Sequence, residues 1–234
     1  MRTSTLKQCL AVAGIASLCW EADHAQSTGT NAPSAQAGAS HSIPVTAPAG
    51  WRAYNRGAKL VDEGPRQFLR LDARPDDGVV WLAGSNFKEG SIAVDIRGKD
   101  VQGESFVGIA FRGIDDTHYD AVYFRPFNFR ATDPARVLHA VQYIALPMFT
   151  WDKLRTETPG QYEKPVAPAP DPNGWFHARI LLDGQTVHVY VNGSREPSLT
   201  VTALSEPRSG KVGLYVGNGS GGDFANLSLK PKRN

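Results

Sequence analysis

The stretch WFHARILLDGQTVHVYVNG, residues 175–193, decides the fold because it predicts a two-stranded β-hairpin. Its Asp183-Gly184 pair is a strong hairpin signal, since a tight type I′ turn needs positive φ at both central residues. A two-residue loop there places apolar side chains from both strands on one face, which we interpret as a core face. The predicted pairs on that face are Phe176 with Val191, Ala178 with Val189 and Ile180 with Val187.

The other face of this hairpin mixes aromatic rings with hydrogen-bonding groups. The members of this face are Trp175, His177, Arg179, Leu181, Thr186, His188, Tyr190 and Asn192. A sugar-binding surface needs such a mixture, and a solvated sheet face also tolerates it. A zinc site on this face is not favoured, because the cationic Arg179 is expected opposite His188.

Outside the hairpin, short runs of alternating apolar residues recur between Gly, Pro and Asp, with almost no helical periodicity. This pattern is typical of an antiparallel β-sandwich, and about eleven strands are too many for one flat sheet. We therefore predict an all-β fold of two stacked antiparallel sheets. The other predicted strands are residues 67–73, 78–84, 90–98, 105–113, 120–129, 137–146, 198–204, 210–217 and 223–230.

The beginning of the chain, residues 1–25, has the pattern of a secretory signal peptide. Arg2 and Lys7 precede an apolar run, Cys9 to Trp20, that is too short to span a bilayer. Cleavage after Ala25 and export to the periplasm or the medium are expected. Lipoprotein anchoring is not expected, because the residues before Cys19 fit a lipobox badly.

Residues 26–47 are rich in Ser, Ala and Gly and have no apolar periodicity, so we predict a disordered tether. The remaining residues, 48–232, suit one sandwich domain. Both cysteines, Cys9 and Cys19, lie in the predicted signal peptide. The mature chain would therefore have no disulfide, no thiolate nucleophile and no cysteine-ligated zinc.

Charge and hydropathy exclude two further classes of partner. The formal net charge is only +2, and the sequence holds no long basic cluster, which argues against nucleic-acid binding. No other apolar run approaches the length of a membrane span, so no membrane segment is predicted. The oligomeric state is not encoded in any pattern that we recognise.

Several of the predicted strands together resemble the concanavalin A-like lectin/glucanase superfamily, nearest to laminin-G-like domains and to the bacterial 3-keto-disaccharide hydrolase family. Besides the hairpin, the segments that carry the resemblance are FKEGSIAVDIRG (87–98), FVGIAFRG (106–113), YDAVYFRP (119–126) and GKVGLYVGNGSGGDFANLSL (210–229). The resemblance implies a jelly-roll sandwich whose concave sheet commonly holds carbohydrate. The paired-carboxylate motif Glu-x-Asp-x-x-Glu of many glucanases is absent, so the sequence shows no residues for the usual glucanase mechanism.

Alternation along two strands predicts a ligand surface on the side away from the core. Arg112, Tyr123 and Arg125 are placed there among small residues, and Gln142 is expected to join them. Guanidinium groups offer paired donors to vicinal hydroxyls or to a carboxylate. The alternative is that both arginines pair with nearby aspartates at a solvated edge.

One long connection, Pro147 to Gly174, interrupts the regular spacing of strands. Connections of this length inside a compact domain are usually functional or mobile. Its first half carries Trp151, which we predict to fold over a sheet as a lid or wall of the sugar site.

Three functions remain open at this point: an exported carbohydrate-binding module, a glycoside hydrolase, and a structural envelope protein without a ligand. A hydrolase would take its acid and base from loop carboxylates or a histidine; the candidates are Asp120, His139, Glu157 and Glu163. No cofactor is expected, although laminin-G-like domains often bind calcium. The weak calcium candidates are Asp115, Asp116 and Asp120, whose spacing matches no calcium-loop pattern.

Overall fold

The computed structural model describes the backbone of residues 41–42 and the chain from residue 50 to residue 233. The predicted signal peptide, residues 1–25, lies outside the described residues. So does the predicted tether, residues 26–47, apart from His41–Ser42, which form a two-residue strand.

Two antiparallel sheets make up the fold, as the alternating pattern predicts. The eight-stranded sheet contains β1 (His41–Ser42), β3 (Ala58–Glu63), β4 (Arg66–Leu71), β6 (Gly90–Arg97), β11 (Trp175–Asp183), β12 (Thr186–Val191), β13 (Leu199–Thr202) and β15 (Gly222–Pro231). The seven-stranded sheet contains β2 (Trp51–Tyr54), β5 (Gly78–Leu82), β7 (Val107–Gly113), β8 (Tyr119–Phe124), β9 (Val141–Leu146), β10 (Glu163–Lys164) and β14 (Lys211–Val216).

The order of strands differs strongly from their order in the sequence. The eight-stranded sheet runs β13-β12-β11-β6-β15-β4-β3, with β1 also paired to β15. The seven-stranded sheet runs β10-β9-β8-β7-β14-β5-β2. The predicted all-β sandwich of two antiparallel sheets is therefore confirmed.

The core lies between the inner faces of the two sheets. Phe124 of β8 meets Phe176 of β11 edge-on with ring centroids 5.0 Å apart, so side chains of the two sheets interdigitate. Each fully buried side chain of this size contributes roughly 1.5–3 kcal/mol through removal of apolar surface from water. We call the opposite side of the seven-stranded sheet its outer face.

The hairpin of β11 and β12 has the predicted faces but not the predicted register. Ala178 pairs with Val191 and Asp183 with Thr186, so the turn consists of Gly184 and Gln185. Of these two residues only Gly184 has positive φ, at 58°, which is typical of a type II′ turn. The predicted pairing was wrong by two residues, and an even shift leaves every side chain on its face.

Gly184→Ala is expected to lower the free energy of unfolding by about 1–2 kcal/mol, because a Cβ is strained at this left-handed φ. Gln185→Ala is the matched control, since φ at that position is not positive. Urea denaturation of both variants measures the difference. Equal stability of the two would show that the turn does not need glycine.

Two predicted strands end differently in the structure. The strand predicted at 120–129 stops at Phe124, where Pro126–Asn128 form a 3₁₀ turn. The strand predicted at 137–146 starts only at Val141, because Pro134–Val137 form the short helix α1 with Asp133 as its N-cap. Proline at the first helical position suits such a start.

The long connection is largely ordered. Helix α2 spans Trp151–Glu157, and β10 (Glu163–Lys164) adds a further strand beside β9. Leu154 of α2 is buried, which holds the helix against the domain. Within residues 50–233 no helix is both long and apolar enough to cross a membrane.

Candidate functional site

Aromatic rings form the floor of a site on the outer face. Tyr215 of β14 lies opposite Gly108 of β7, and Gly108 lies opposite Tyr123 of β8. Directly opposed residues of neighbouring strands share a face. Because Gly108 has no side chain, the rings of Tyr123 and Tyr215 approach to a centroid distance of 5.4 Å. A Cβ at Gly108 would lie 2.1 Å from the carbonyl oxygen of Val122, so this position requires glycine.

A cavity of about 360 Å³ opens above this floor. Its aromatic lining is Phe106, Tyr123, Phe127, Trp151 and Tyr215. Its polar lining includes Asp77, Arg125, Arg136, His139, Arg155 and Asn218. We call this cavity the aromatic pocket.

A buried hydrogen-bond network fixes Arg125 at one side of the pocket. Its Nη2 donates to the Tyr123 hydroxyl at 2.7 Å and to Oε1 of Gln142, and its Nη1 donates to the carbonyl of His139 at 2.9 Å. The guanidinium also lies 4.9 Å from the centre of the Tyr123 ring. Burial lowers the pKa of Arg125, since the charged form loses water.

Helix α2 forms one wall of the pocket. The Trp151 side chain at its start is 48% exposed, and the carbonyl of Trp151 accepts a hydrogen bond from Nε2 of Gln142 at 3.2 Å. The Arg155 guanidinium stacks 5.1 Å from the Trp151 ring centre. Trp151 thus lies at the rim of the pocket, and its role as a lid or wall of a sugar site stays a prediction.

Three of the predicted acid–base candidates, His139, Glu157 and Glu163, do not place a pair of carboxylates at this site. Glu163 is buried behind the wall, where Oε2 lies 2.7 Å from Nη2 of Arg155 and 2.8 Å from Nδ1 of His139. Glu157 is exposed at the end of α2. His139 lines the pocket through a half-buried ring.

Arg112 and Asp120 lie elsewhere, contrary to the prediction that placed Arg112 beside Tyr123. A β-bulge at Phe111–Arg112, where the pairing with β14 shifts between Lys211 and Gly213, and a φ of 52° at Arg112 turn the side chain into the interior. There its Nη1 lies 3.4 Å from Oδ2 of Asp120, and its Nη2 donates to the carbonyl of Gly184 at 2.6 Å. Arg112 therefore pairs with an aspartate, as the alternative states, but both side chains are almost fully buried and do not lie at a solvated edge.

The three calcium candidates point to different partners. Asp115 caps its own turn by accepting from the backbone N–H groups of Thr117 and His118, which lowers its pKa. Asp116 pairs with Arg52 and accepts from Nε1 of Trp81 at 2.8 Å. Asp120 faces the interior, and in residues 50–233 no group of three potential ligands gathers for a metal.

Comparison with known proteins adds evidence about the fold. No family model matches the chain, and no curated protein matches it. A solved carbohydrate-binding module, CBM66 from Bacillus subtilis, is similar at a TM-score of 0.52 and 13% identity, over 77% of this chain and 96% of that one. The fold is that of a lectin-like β-sandwich.

Two further solved structures agree with this fold. A protein of unknown function with a galectin-like fold, from Bacillus subtilis, matches at a TM-score of 0.53 and 14% identity, over 81% of this chain and 97% of that one. The exoplasmic/lumenal domain of VIP36 in its Ca²⁺/Man-bound form matches at 0.54 and 13%, over 79% and 84% of the two chains.

Sequence reasoning missed several lining residues of this lectin-like sandwich. Tyr215 alternates with the core residues Leu214 and Val216, so strand periodicity alone could have placed it on the outer face. Asp77 carried no signal, because it precedes a strand in a polar turn. Burial raises the pKa of the Asp77 carboxyl, which interacts with Tyr215.

Proposed function

We propose that this chain is an exported carbohydrate-binding β-sandwich and that a sugar binds in the aromatic pocket. The observation that carries the proposal is the juxtaposition of aromatic rings with multi-donor polar groups around one cavity. A sugar ring presents apolar C–H patches flanked by hydroxyls. Such a ligand fits a surface of aromatic faces with a few fixed donors beside them.

The fixed geometry of the floor supports binding. Tyr123 hydrogen-bonds with Arg125 and lies 3.2 Å from Oε1 of Gln142, so its ring is held before any ligand arrives. A pre-organised site loses less side-chain entropy when it binds. The volume of about 360 Å³ also falls within the usual range of small-ligand sites, roughly 300–1,000 Å³.

Two of the similar solved structures support this proposal. One of them is a carbohydrate-binding module, and the VIP36 domain holds mannose in one of its solved forms. At 13% identity these likenesses concern the fold, so the residues of the pocket remain the basis of the proposal.

Trp151→Ala is expected to weaken oligosaccharide binding by about 1–3 kcal/mol, the usual effect of losing an aromatic hot spot. The thermal midpoint should stay nearly unchanged, because the ring is 48% exposed. Isothermal titration against a panel of neutral and acidic oligosaccharides measures the affinity.

Tyr54→Ala is the matched control, since Tyr54 is also an exposed aromatic residue, lies on β2 of the seven-stranded sheet and does not line the pocket. Equal binding by the wild type and Trp151→Ala would contradict the proposed site. No binding of any panel member to the wild type would favour the structural envelope protein.

Glycoside hydrolysis is a second candidate because a carboxyl with a raised pKa, Asp77, lines the same pocket. A raised pKa keeps more of the carboxyl in the protonated form that a general acid requires. The binding panel should therefore be analysed for released products. Products that the wild type releases and Asp77→Asn does not would identify a hydrolase. Oligosaccharides that stay intact would support binding without hydrolysis.

Export is expected to remove the first 25 residues. Protein recovered from the native host should begin near Gln26 when its amino terminus is sequenced. An intact Met1 on a cytoplasmic protein would contradict the export proposal.

A further inference from the structure

The charges around the aromatic pocket are unevenly compensated. Three arginines line it: Arg125, Arg136 and Arg155. Arg155 is neutralised by the buried Glu163 at 2.7 Å. Within residues 50–233, no carboxylate lies within ion-pair distance of Arg125 or Arg136.

Arg125 is the more unusual of the two, because it is only 5% exposed. All of its acceptors are neutral: the Tyr123 hydroxyl, the Gln142 amide oxygen and the His139 carbonyl. A buried guanidinium is normally paired with an anion, since neutral acceptors replace only part of its lost hydration. These three hydrogen bonds also leave some of its five N–H donors unused.

The acceptors of the Arg136 side chain are also neutral, and two residues connect its guanidinium to that of Arg125. Its Nε donates to Oδ1 of Asn128 at 3.1 Å, and its Nη2 donates to the carbonyl of Phe127 at 2.7 Å. Nδ2 of Asn128 donates at 3.3 Å to the His139 carbonyl that also accepts from Arg125. The two guanidinium groups therefore belong to one hydrogen-bonded group of residues, which we call the Arg125–Arg136 wall.

The only carboxylate lining the pocket in the described chain, Asp77, interacts with a different group of residues. Tyr215 and Asn218 donate to it, and the cationic Arg56 is near. His139 faces Glu163, the anion that already compensates Arg155. The Arg125–Arg136 wall therefore carries positive charge with no carboxylate of the described residues at ion-pair distance, and Glu163, which pairs with Arg155, acts on Arg125 only from farther away.

We propose that the pocket selects a sugar bearing a carboxylate, a uronic acid, whose carboxylate binds the Arg125–Arg136 wall while its ring lies against the aromatic floor. This inference rests on the proposed carbohydrate-binding function. A planar carboxylate matches the planar donor fork of a guanidinium, and a bound anion restores the charge balance that burial of Arg125 disturbs.

The test compares tetrasaccharides of glucuronate, mannuronate and galacturonate with neutral tetrasaccharides of the same linkage, in which each carboxylate is reduced to a hydroxymethyl group. At least one uronate should bind the wild type about 10- to 100-fold tighter than its reduced counterpart. Added salt should weaken that preference. A sulfated derivative of the same reduced tetrasaccharide tests the other common sugar anion.

Arg136→Gln is the decisive variant, because the Arg136 side chain is only half-buried and makes none of the three hydrogen bonds of Arg125. It should lose most of the preference for the uronate, and Arg136→Lys should keep part of it. Arg179→Gln is the control of equal charge change: Arg179 stacks 3.8 Å from the Tyr190 ring on the other sheet. It should bind like the wild type.

Each other result overturns the inference. Equal or tighter binding of the neutral tetrasaccharides excludes a carboxylate-selective pocket and leaves carbohydrate binding in place. Tighter binding of the sulfated derivative excludes the carboxylate as the preferred anion. An unchanged preference in Arg136→Gln also excludes it, and so does a loss in Arg179→Gln as large as the loss in Arg136→Gln. Binding of none of these glycans, while a neutral glycan from the wider panel binds, excludes it too. Absence of binding to every glycan refutes the carbohydrate-binding function itself.

Discussion

Replacing Asp120 by alanine is expected to lower the free energy of unfolding by about 3–5 kcal/mol, as for other broken buried ion pairs. Oδ2 of Asp120 accepts from the Tyr143 hydroxyl at 2.8 Å and from Oγ of Ser205 at 2.7 Å, and lies 3.4 Å from Nη1 of Arg112. The variant leaves the Arg112 guanidinium charged in the core without an anion. Urea denaturation measures the loss.

The double variant Arg112→Met with Asp120→Leu is the informative control. Replacing both members of a buried pair by apolar groups is often neutral or stabilising, so it should be less destabilised than Asp120→Ala. A loss below about 1 kcal/mol in Asp120→Ala would show that Arg112 reaches water or another anion, because an unpaired buried charge costs more than this.

Arg125→Ala is expected to reduce both stability and binding. It removes the charged donor of three hydrogen bonds, to Gln142, Tyr123 and His139, and a hydrogen bond to a charged group contributes about 1.5–3 kcal/mol. The free energy of unfolding should therefore fall by more than about 3 kcal/mol. Binding of the best uronate should be lost in the fraction that remains folded.

Arg125→Lys separates the two effects. A lysine keeps the positive charge but cannot reproduce the fork that reaches all three acceptors, so we expect only partial recovery of stability and of binding. Arg125→Ala with wild-type stability would contradict the network as described. Calorimetric unfolding and titration of the same samples give both quantities.

Periodicity predicted which face each side chain of the hairpin occupies, and the reason lies in the geometry of a strand. Side chains alternate with a period of two, so the wrong turn at Asp183-Gly184 shifted the register without exchanging the faces. The same rule failed at Arg112. A bulge inserts an extra residue, and the positive φ of 52° then sends that side chain to the opposite face.

The pocket was predicted only in part because it is assembled from distant segments. Tyr123, Arg125 and Trp151 were expected there, and two of them lie on one strand or just after it. Arg136 lies on a single-turn helix just before the strand predicted at 137–146, so alternation gave no information about its direction. Asp77 and Asn218 approach through loops whose paths no local pattern specifies.

The position of β15 has a consequence for how the domain is made. This strand, Gly222–Pro231, is the last of the described strands to be synthesised, yet it lies between β6 and β4 and pairs with both. During synthesis, β3 and β4 therefore cannot join β6 in the sheet until β15 is available, more than 120 residues after β6. Such dominance of long-range pairing is typical of slow folding, so the nascent domain should stay open to chaperones until β15 has been synthesised.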